Sequence, residues 1–98
     1  VGPYLVTKDE IRDVKNLNMK LDLNGKNMQT GNTNKMIFNI NFILSYLSKF
    51  MTLYPGDLIT TGTPPGIGNG KKPPIFLKNG DVMKLSIDEL GEQIQKVK

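Results

Sequence analysis

Apolar and polar residues alternate most clearly from Leu17 to Asn24. Leu17, Met19, Leu21 and Leu23 fall on one side, and Asn18, Lys20, Asp22 and Asn24 on the other, which is the period of a half-buried strand. Asn24-Gly25 follows directly, and both residues accept positive φ, so a tight hairpin turn and a weaker return strand from Lys26 to about Thr30 are predicted. Further on, Ile40, Ile43, Leu44, Leu47, Phe50 and Met51 recur at helical spacing. They predict one amphipathic helix over about Ile40–Met51, with Asn39 or Asn41 as its cap and the apolar stripe buried. Pro55-Gly56-Asp57 closes that helix in a turn, and Leu58–Thr61 reads as a short strand. Val82–Asp88 alternates again, with Met83, Leu85 and Ile87 on one face, after the turn Asn79-Gly80-Asp81. Gly91 separates that strand from a last one around Gln93–Val97.

The ends and connections add less. Val1–Val6 reads as extended, and Thr7-Lys8-Asp9-Glu10 has the form of a capping box that opens one short helical turn. Gly62–Pro74 is too rich in Gly and Pro for helix or regular strand. Hairpins around one helix give an α+β, mostly β fold class for the 98 residues.

Composition narrows the chemistry. There is no Cys and no His, which excludes zinc sites of the usual kinds and Ser-His-Asp or Cys-His catalysis. The nine acids are Asp9, Glu10, Asp13, Asp22, Asp57, Asp81, Asp88, Glu89 and Glu92. They are the strong oxygen ligands for a hard cation, and no close carboxylate pair stands out among them. Net charge is +4, yet Arg12 is the lone Arg and the lysines are scattered. That fits a solvated surface better than a nucleic-acid reader built on Arg forks and aromatic stacking. No apolar run is long enough to span a membrane. The chain begins at Val1 rather than Met, and with the shortage of ligands this reads as the mark of a fragment.

The loop Thr61-Gly62-Thr63-Pro64-Pro65-Gly66-Ile67-Gly68-Asn69-Gly70-Lys71-Lys72 is the main candidate for chemistry. It fails the phosphate-loop pattern, which needs Gly where Pro65 stands and Ser or Thr where Lys72 stands, and its glycines are mis-spaced for a dinucleotide fingerprint. Two readings of it stand. One is a wide surface turn. In the other, Gly62 lets the backbone come close to a ligand, while Thr61 and Thr63 offer hydroxyls and N–H groups to a carboxylate or carbonyl oxygen. The cluster Gln29, Asn32, Thr33 and Asn34 is read as polar side chains satisfying local backbone, with substrate contact as the other option.

Several segments together resemble the fumarylacetoacetate hydrolase superfamily. They are Gly2-Pro3-Tyr4-Leu5-Val6-Thr7; Asn24-Gly25 with Gln29 and Asn32-Thr33-Asn34-x-Met36-Ile37-Phe38; Pro55-Gly56-Asp57-Leu58-Ile59-x-Thr61-Gly62-Thr63-Pro64-x-Gly66-Ile67-Gly68; and Lys72-Pro73-Pro74-x-Phe76-Leu77-Lys78-x-Gly80-Asp81. The Lys-Pro-Pro-x-Phe-Leu stretch and the Glu89-Leu90-Gly91 turn look most like its domain-containing protein 2 subgroup.

The resemblance implies residues 1–98 to be the C-terminal portion of a fumarylacetoacetase-like catalytic domain, a mixed β-roll that is usually a homodimer. It implies Mg²⁺ or Mn²⁺ held by a Glu-x-Glu pair and a later Asp, all upstream of the segment matched by Val1. It also implies a 2-oxo or β-diketo acid substrate and an enolate stabilised by the cation, in C–C hydrolysis, decarboxylation or oxaloacetate keto–enol tautomerisation. Such a parent would be intracellular, mitochondrial or cytoplasmic, with no nucleic-acid or membrane partner. No catalytic residue and no metal ligand carries over to these 98 residues. What carries over is Thr63 as a substrate-contacting residue, with Gly62 shaping the turn and Thr61 as a weaker neighbour. Gln95-Lys96 stands where the family often has Asn before a basic residue. The alternatives are a non-catalytic, truncated or degenerate homologue that kept the fold, or a small basic nucleic-acid-binding β-module.

Overall fold

A computed structural model describes all residues from Val1 to Lys98. Its centre is a four-stranded sheet in the order β2-β1-β3-β4, with β1 at Asn18–Leu23, β2 at Lys26–Asn32, β3 at Val82–Ile87 and β4 at Gly91–Lys96. All three ladders are antiparallel. The predicted hairpin forms as expected, with Asn24 at φ 50° and Gly25 at φ 78°, as a two-residue primed turn requires. Asn24 also ties this turn to the start of β3. Its N–H donates to the Val82 carbonyl at 2.8 Å, and its side-chain oxygen accepts from Val82 N at 2.9 Å.

Directly paired residues share a face. Met19, Leu21, Met83, Leu85 and Ile87 therefore line one side with Gln29, Gly31 and Gln93, while Lys20, Asp22, Lys84, Ser86 and Glu92 line the other. The register between β1 and β2 slips at Leu21/Asp22, where Leu21 pairs with Gln29 but Asp22 pairs with Asn27. Met28 is the extra residue of that bulge. The first face is covered in part by the loop Thr61–Leu77. Between loop and sheet lies an apolar hollow of about 200 Å³, floored by Leu21, Leu23 and Met83 and roofed by Ile67, Ile75 and Leu77. The N-terminal segment crosses the same face farther along, with the Tyr4 ring against Gly91.

Several expectations need correction. The helix α1 spans Ile40–Leu47 and is capped by Asn39, whose side chain accepts from Phe42 N at 2.9 Å. It ends four residues early, in turns that run to Met51. Its apolar stripe is not buried: Ile40, Ile43 and Leu47 are half-buried, while Leu44 is 40% exposed, Phe50 69% and Met51 54%, because no other helix or strand packs closely across it. Phe38, Phe42, Tyr46 and Phe50 instead form a ladder of neighbouring rings with centroids 4.8, 6.2 and 5.0 Å apart. Leu58–Thr61 is not a strand, since it has no ladder partner. The last strand begins at Gly91 itself, because Glu89 at φ 62° already makes the turn. A short 3₁₀ turn occupies Gly68–Gly70 inside the loop. At Lys8–Glu10 the expected turn forms, but Thr7 makes no side-chain cap bond. The sheet is open and wholly antiparallel, so these residues by themselves do not close the mixed roll that the resemblance implies.

Candidate functional site

The loop that carries Thr61, Gly62 and Thr63 is anchored to β2 at three places. Gly31 faces Pro64, so that a Cβ on Gly31 would come within 2.8 Å of the Pro64 side chain. Gly66, at φ 112°, lies so close to β2 that a Cβ there would overlap the Met28 carbonyl oxygen. Between these contacts, the amide Nε2 of Gln29 donates to Thr63 Oγ1 at 2.9 Å and to the Pro64 carbonyl at 2.6 Å. The far side of the loop is closed by Ile75 N donating to the Gly68 carbonyl at 2.9 Å. The bulge at Met28 is what brings this part of β2 up to the loop, a common use of bulges beside sites.

Thr61, Gly62 and Thr63 are all exposed. Gly62 has φ 93°, and no atom lies within 4 Å of where its Cβ would be. The peptide is therefore bent as only Gly does easily, toward open space rather than into the protein. The sequence from Thr61 to Gly68 contains no ionisable group, so this wall can hydrogen-bond a ligand but cannot shuttle its protons.

The rest of the polar cluster does structural work. Asn32 accepts from Asn34 N at 2.8 Å, the local backbone role expected of the cluster, whereas Thr33 Oγ1 accepts from the distant Leu17 N at 2.9 Å and so ties the turn to the start of β1. Gln29 departs from that group. Counted from the Asn24-Gly25 turn it would face outward with Lys20, and it is the bulge at Met28 that pairs it with Leu21 on the inward face.

Charged groups with displaced pKa values lie at the ends of the sheet. Asp81 is held below the usual carboxylate range by the Asn24 amide and then by Lys78 N–H. Asp22 is lowered by Asn27 and then by Lys20. Glu89 is lowered and Arg12 raised by their mutual hydrogen bond at 2.6 Å. No three acids gather as a metal site would require. On the outer face, Lys20 pairs with Asp22 at 3.0 Å and Lys84 with Glu92 at 3.1 Å. The charges there alternate in sign and make no basic stripe for nucleic acid. No helix is long and apolar enough to cross a membrane.

Comparison with known proteins gives the arrangement a context. A hydrolase of 2,4-didehydro-3-deoxy-L-rhamnonate from Sphingomonas sp. (strain SKA58) is 60% identical over 99% of this chain, which corresponds to 34% of that protein. The solved fumarylacetoacetate hydrolase of psychrophilic Exiguobacterium antarcticum superposes with a TM-score of 0.94 at 41% identity, over 99% of this chain and 35% of that one. The maleylpyruvate hydrolase of Sphingobium sp. SYK-6, solved with manganese(II) and pyruvate, gives a TM-score of 0.85 at 37% identity, over 97% of this chain and 33% of that one. The chain thus spans about a third of the length of the curated relatives it matches. The family model for the C-terminal part of fumarylacetoacetate (FAA) hydrolase matches residues 1–98, and the chain belongs to that family.

Proposed function

We propose that these residues are the C-terminal portion of a hydrolase that cleaves a C–C bond in a 2,4-dioxo acid, and that the Thr61–Thr63 loop is one wall of its active site. The observation that carries the reading is the state of Thr63. Its hydroxyl is exposed, at the end of a loop fixed to the sheet, beside a Gly62 bent toward open space. The substrate class follows from the relatives. The names 2,4-didehydro-3-deoxy-L-rhamnonate and maleylpyruvate both describe a 2-oxo carboxylate with a second carbonyl two carbons along. In such a substrate, addition of water at the second carbonyl breaks the bond to the carbon between the two. The electron pair passes to the 2-oxo group as an enolate, and protonation then gives pyruvate or its analogue. Thr63 would donate to an oxygen of the 2-oxo acid, where negative charge lies or develops.

A divalent cation is implied by the family, and the Sphingobium enzyme holds manganese. The acids of this chain do not fit such a site. Asp13, Asp22, Asp57, Asp81, Asp88, Glu89 and Glu92 are each engaged with a backbone N–H, an amide or a cation, and they are dispersed over the sheet ends and turns. Ligands for Mg²⁺ or Mn²⁺ would have to come from outside these residues, as would the strands that close the roll.

The test is turnover by the full-length protein. Hydrolysis of 2,4-didehydro-3-deoxy-L-rhamnonate or maleylpyruvate is expected, with release of pyruvate. Thr63→Val should lower kcat/KM by about 10–100-fold, the worth of one hydrogen bond to a charged oxygen, while the melting temperature stays within a degree or two. Activity confined to enolisation of oxaloacetate would move the assignment to a tautomerase. A Thr63→Val enzyme with native kinetics would remove Thr63 from the site.

A further inference from the structure

We propose that Gln29 is a positioning residue for this site: its side-chain amide fixes the Thr63 hydroxyl as a donor aimed away from the loop, toward an oxygen of the oxo-acid substrate. The inference rests on the reading of Thr63 given above and adds the group that sets the direction of its hydrogen bond.

The polarity of the contact follows from chemistry alone. The Pro64 carbonyl can only accept, so the Gln29 atom 2.6 Å from it must be the amide nitrogen. The same nitrogen lies 2.9 Å from Thr63 Oγ1. An NH₂ group has two protons, and these two acceptors use both. Thr63 Oγ1 therefore receives a hydrogen bond from Gln29. Its own proton has one acceptor within the loop, the Pro64 carbonyl, at 3.5 Å, well beyond the usual range for O–H···O. With one lone pair filled from the sheet side and no good internal acceptor, the hydroxyl presents its proton outward. The donation also polarises the O–H bond, since hydrogen bonds in a chain strengthen one another.

Position supports the assignment. Gln29 lies on the inward face of β2, opposite Leu21 and beside the bulge, where an apolar residue would pack against the hollow more cheaply. Gly31 at Pro64 and Gly66 at Met28 let the loop lie directly on β2 at either side of Gln29. Of the two bonds the amide makes, the one to the Pro64 carbonyl attaches the loop and the one to Thr63 Oγ1 orients the hydroxyl.

The experiment is a double-mutant cycle in the full-length enzyme, using pyruvate release from 2,4-didehydro-3-deoxy-L-rhamnonate. Gln29→Met keeps length and volume but removes both donors. It is expected to lower kcat about tenfold with a smaller change in KM. In a Thr63→Val background the same substitution should cost less than about twofold, because the hydroxyl it orients is gone. In a Thr63→Ser background the tenfold loss should return. Gln29→Glu is the second variant, should Gln29→Met fail to fold. A carboxylate there accepts the Thr63 proton and turns the hydroxyl inward, so the loss should match that of Thr63→Val. Equal losses for Gln29→Met in the native and Thr63→Val backgrounds would show that it acts through loop packing or Pro64 alone, and the proposal would fall. Native kinetics in either Gln29 variant would also overturn it. If Thr63→Val itself is silent, the underlying reading has failed, and the cycle shows that separately.

Discussion

Gly62 and Gly66 share the same sign of φ but not the same surroundings, and the difference separates a residue exposed to solvent from one that holds the loop in place. At Gly62 a Cβ would meet nothing within 4 Å. Ala there should cost about 1–2 kcal/mol, the strain of an L-residue in the left-handed region. At Gly66 a Cβ would overlap the Met28 carbonyl and press on Gln29 Cγ at 3.2 Å. The loop must lift from β2, and Gly66→Ala should cost about 2–4 kcal/mol in thermal or urea unfolding of the full-length protein. Because lifting the loop also withdraws Thr63 from Gln29, activity should fall with stability at Gly66, whereas Gly62→Ala should cost only the smaller backbone strain and leave the loop seated on β2. Equal destabilisation by the two variants would mean that the loop is not seated on Met28. At this scale the sequence was half legible. Thr63 could be proposed from its motif, but Gln29 could not, because its orientation depends on a strand parity altered by the bulge at Met28.

Elements were legible where their stabilising contacts are local. The β1–β2 hairpin follows from alternation plus Asn24-Gly25, and the helix start follows from Asn39. Elements that need a distant partner were not. Leu58–Thr61 has the composition of a strand, but a strand exists only with a neighbour to bond. The stripe on α1 predicted burial, yet what a stripe meets is settled by packing and not by period. Long-range polar ties are equally invisible in sequence, and the one between the Asn24 turn and the Asn79–Asp81 turn has a measurable consequence. Asp81 accepts from Asn24 Nδ2 at 2.9 Å and from Lys78 N at 2.8 Å, which lowers its pKa in the folded state. A carboxyl lowered on folding adds stability that is fully present above its unfolded pKa, about 3.9, and lost as pH falls through the lower folded value. Asp22 and Glu89 act in the same direction. Asp81→Asn should therefore lower the melting temperature at pH 7, and the gap from the native protein should close as pH drops below about 4. A gap that stays constant down to pH 2 would show that the Asp81 contacts are not charge-dependent.

The whole molecule exposes far more surface than its mass requires. Its accessible area is 8015 Å² for 10.9 kDa, where a compact monomer of that mass shows roughly 5,600 Å². Its radius of gyration is 15.4 Å, against about 12.6 Å for a compact chain of this length. Leu17 is the one buried residue, and no side chain is fully buried. The excess, roughly 2,400 Å² by the same scaling, is about three times what one partner contributes to a standard protein interface. The aromatic ladder from Phe38 to Phe50 accounts for part of it, and the two open edges of the sheet add unpaired backbone groups. A surface of this kind is what the proposed reading expects of a chain that matches a third of its relatives, if further chain packs on it in the full-length protein. The 98 residues expressed alone should therefore bind the dye ANS strongly at neutral pH, associate at micromolar concentration through the open edges, and unfold in urea without a sharp transition. The full-length protein should show none of these. If instead the isolated chain ran as a monomer, left the dye dark and unfolded cooperatively with a slope normal for its size, about 1 kcal/mol/M, its own sheet, loop and helix would suffice as a core. The Thr63 loop would then sit on an autonomous module, and the proposal that this chain is one wall of a larger catalytic domain would lose its physical basis.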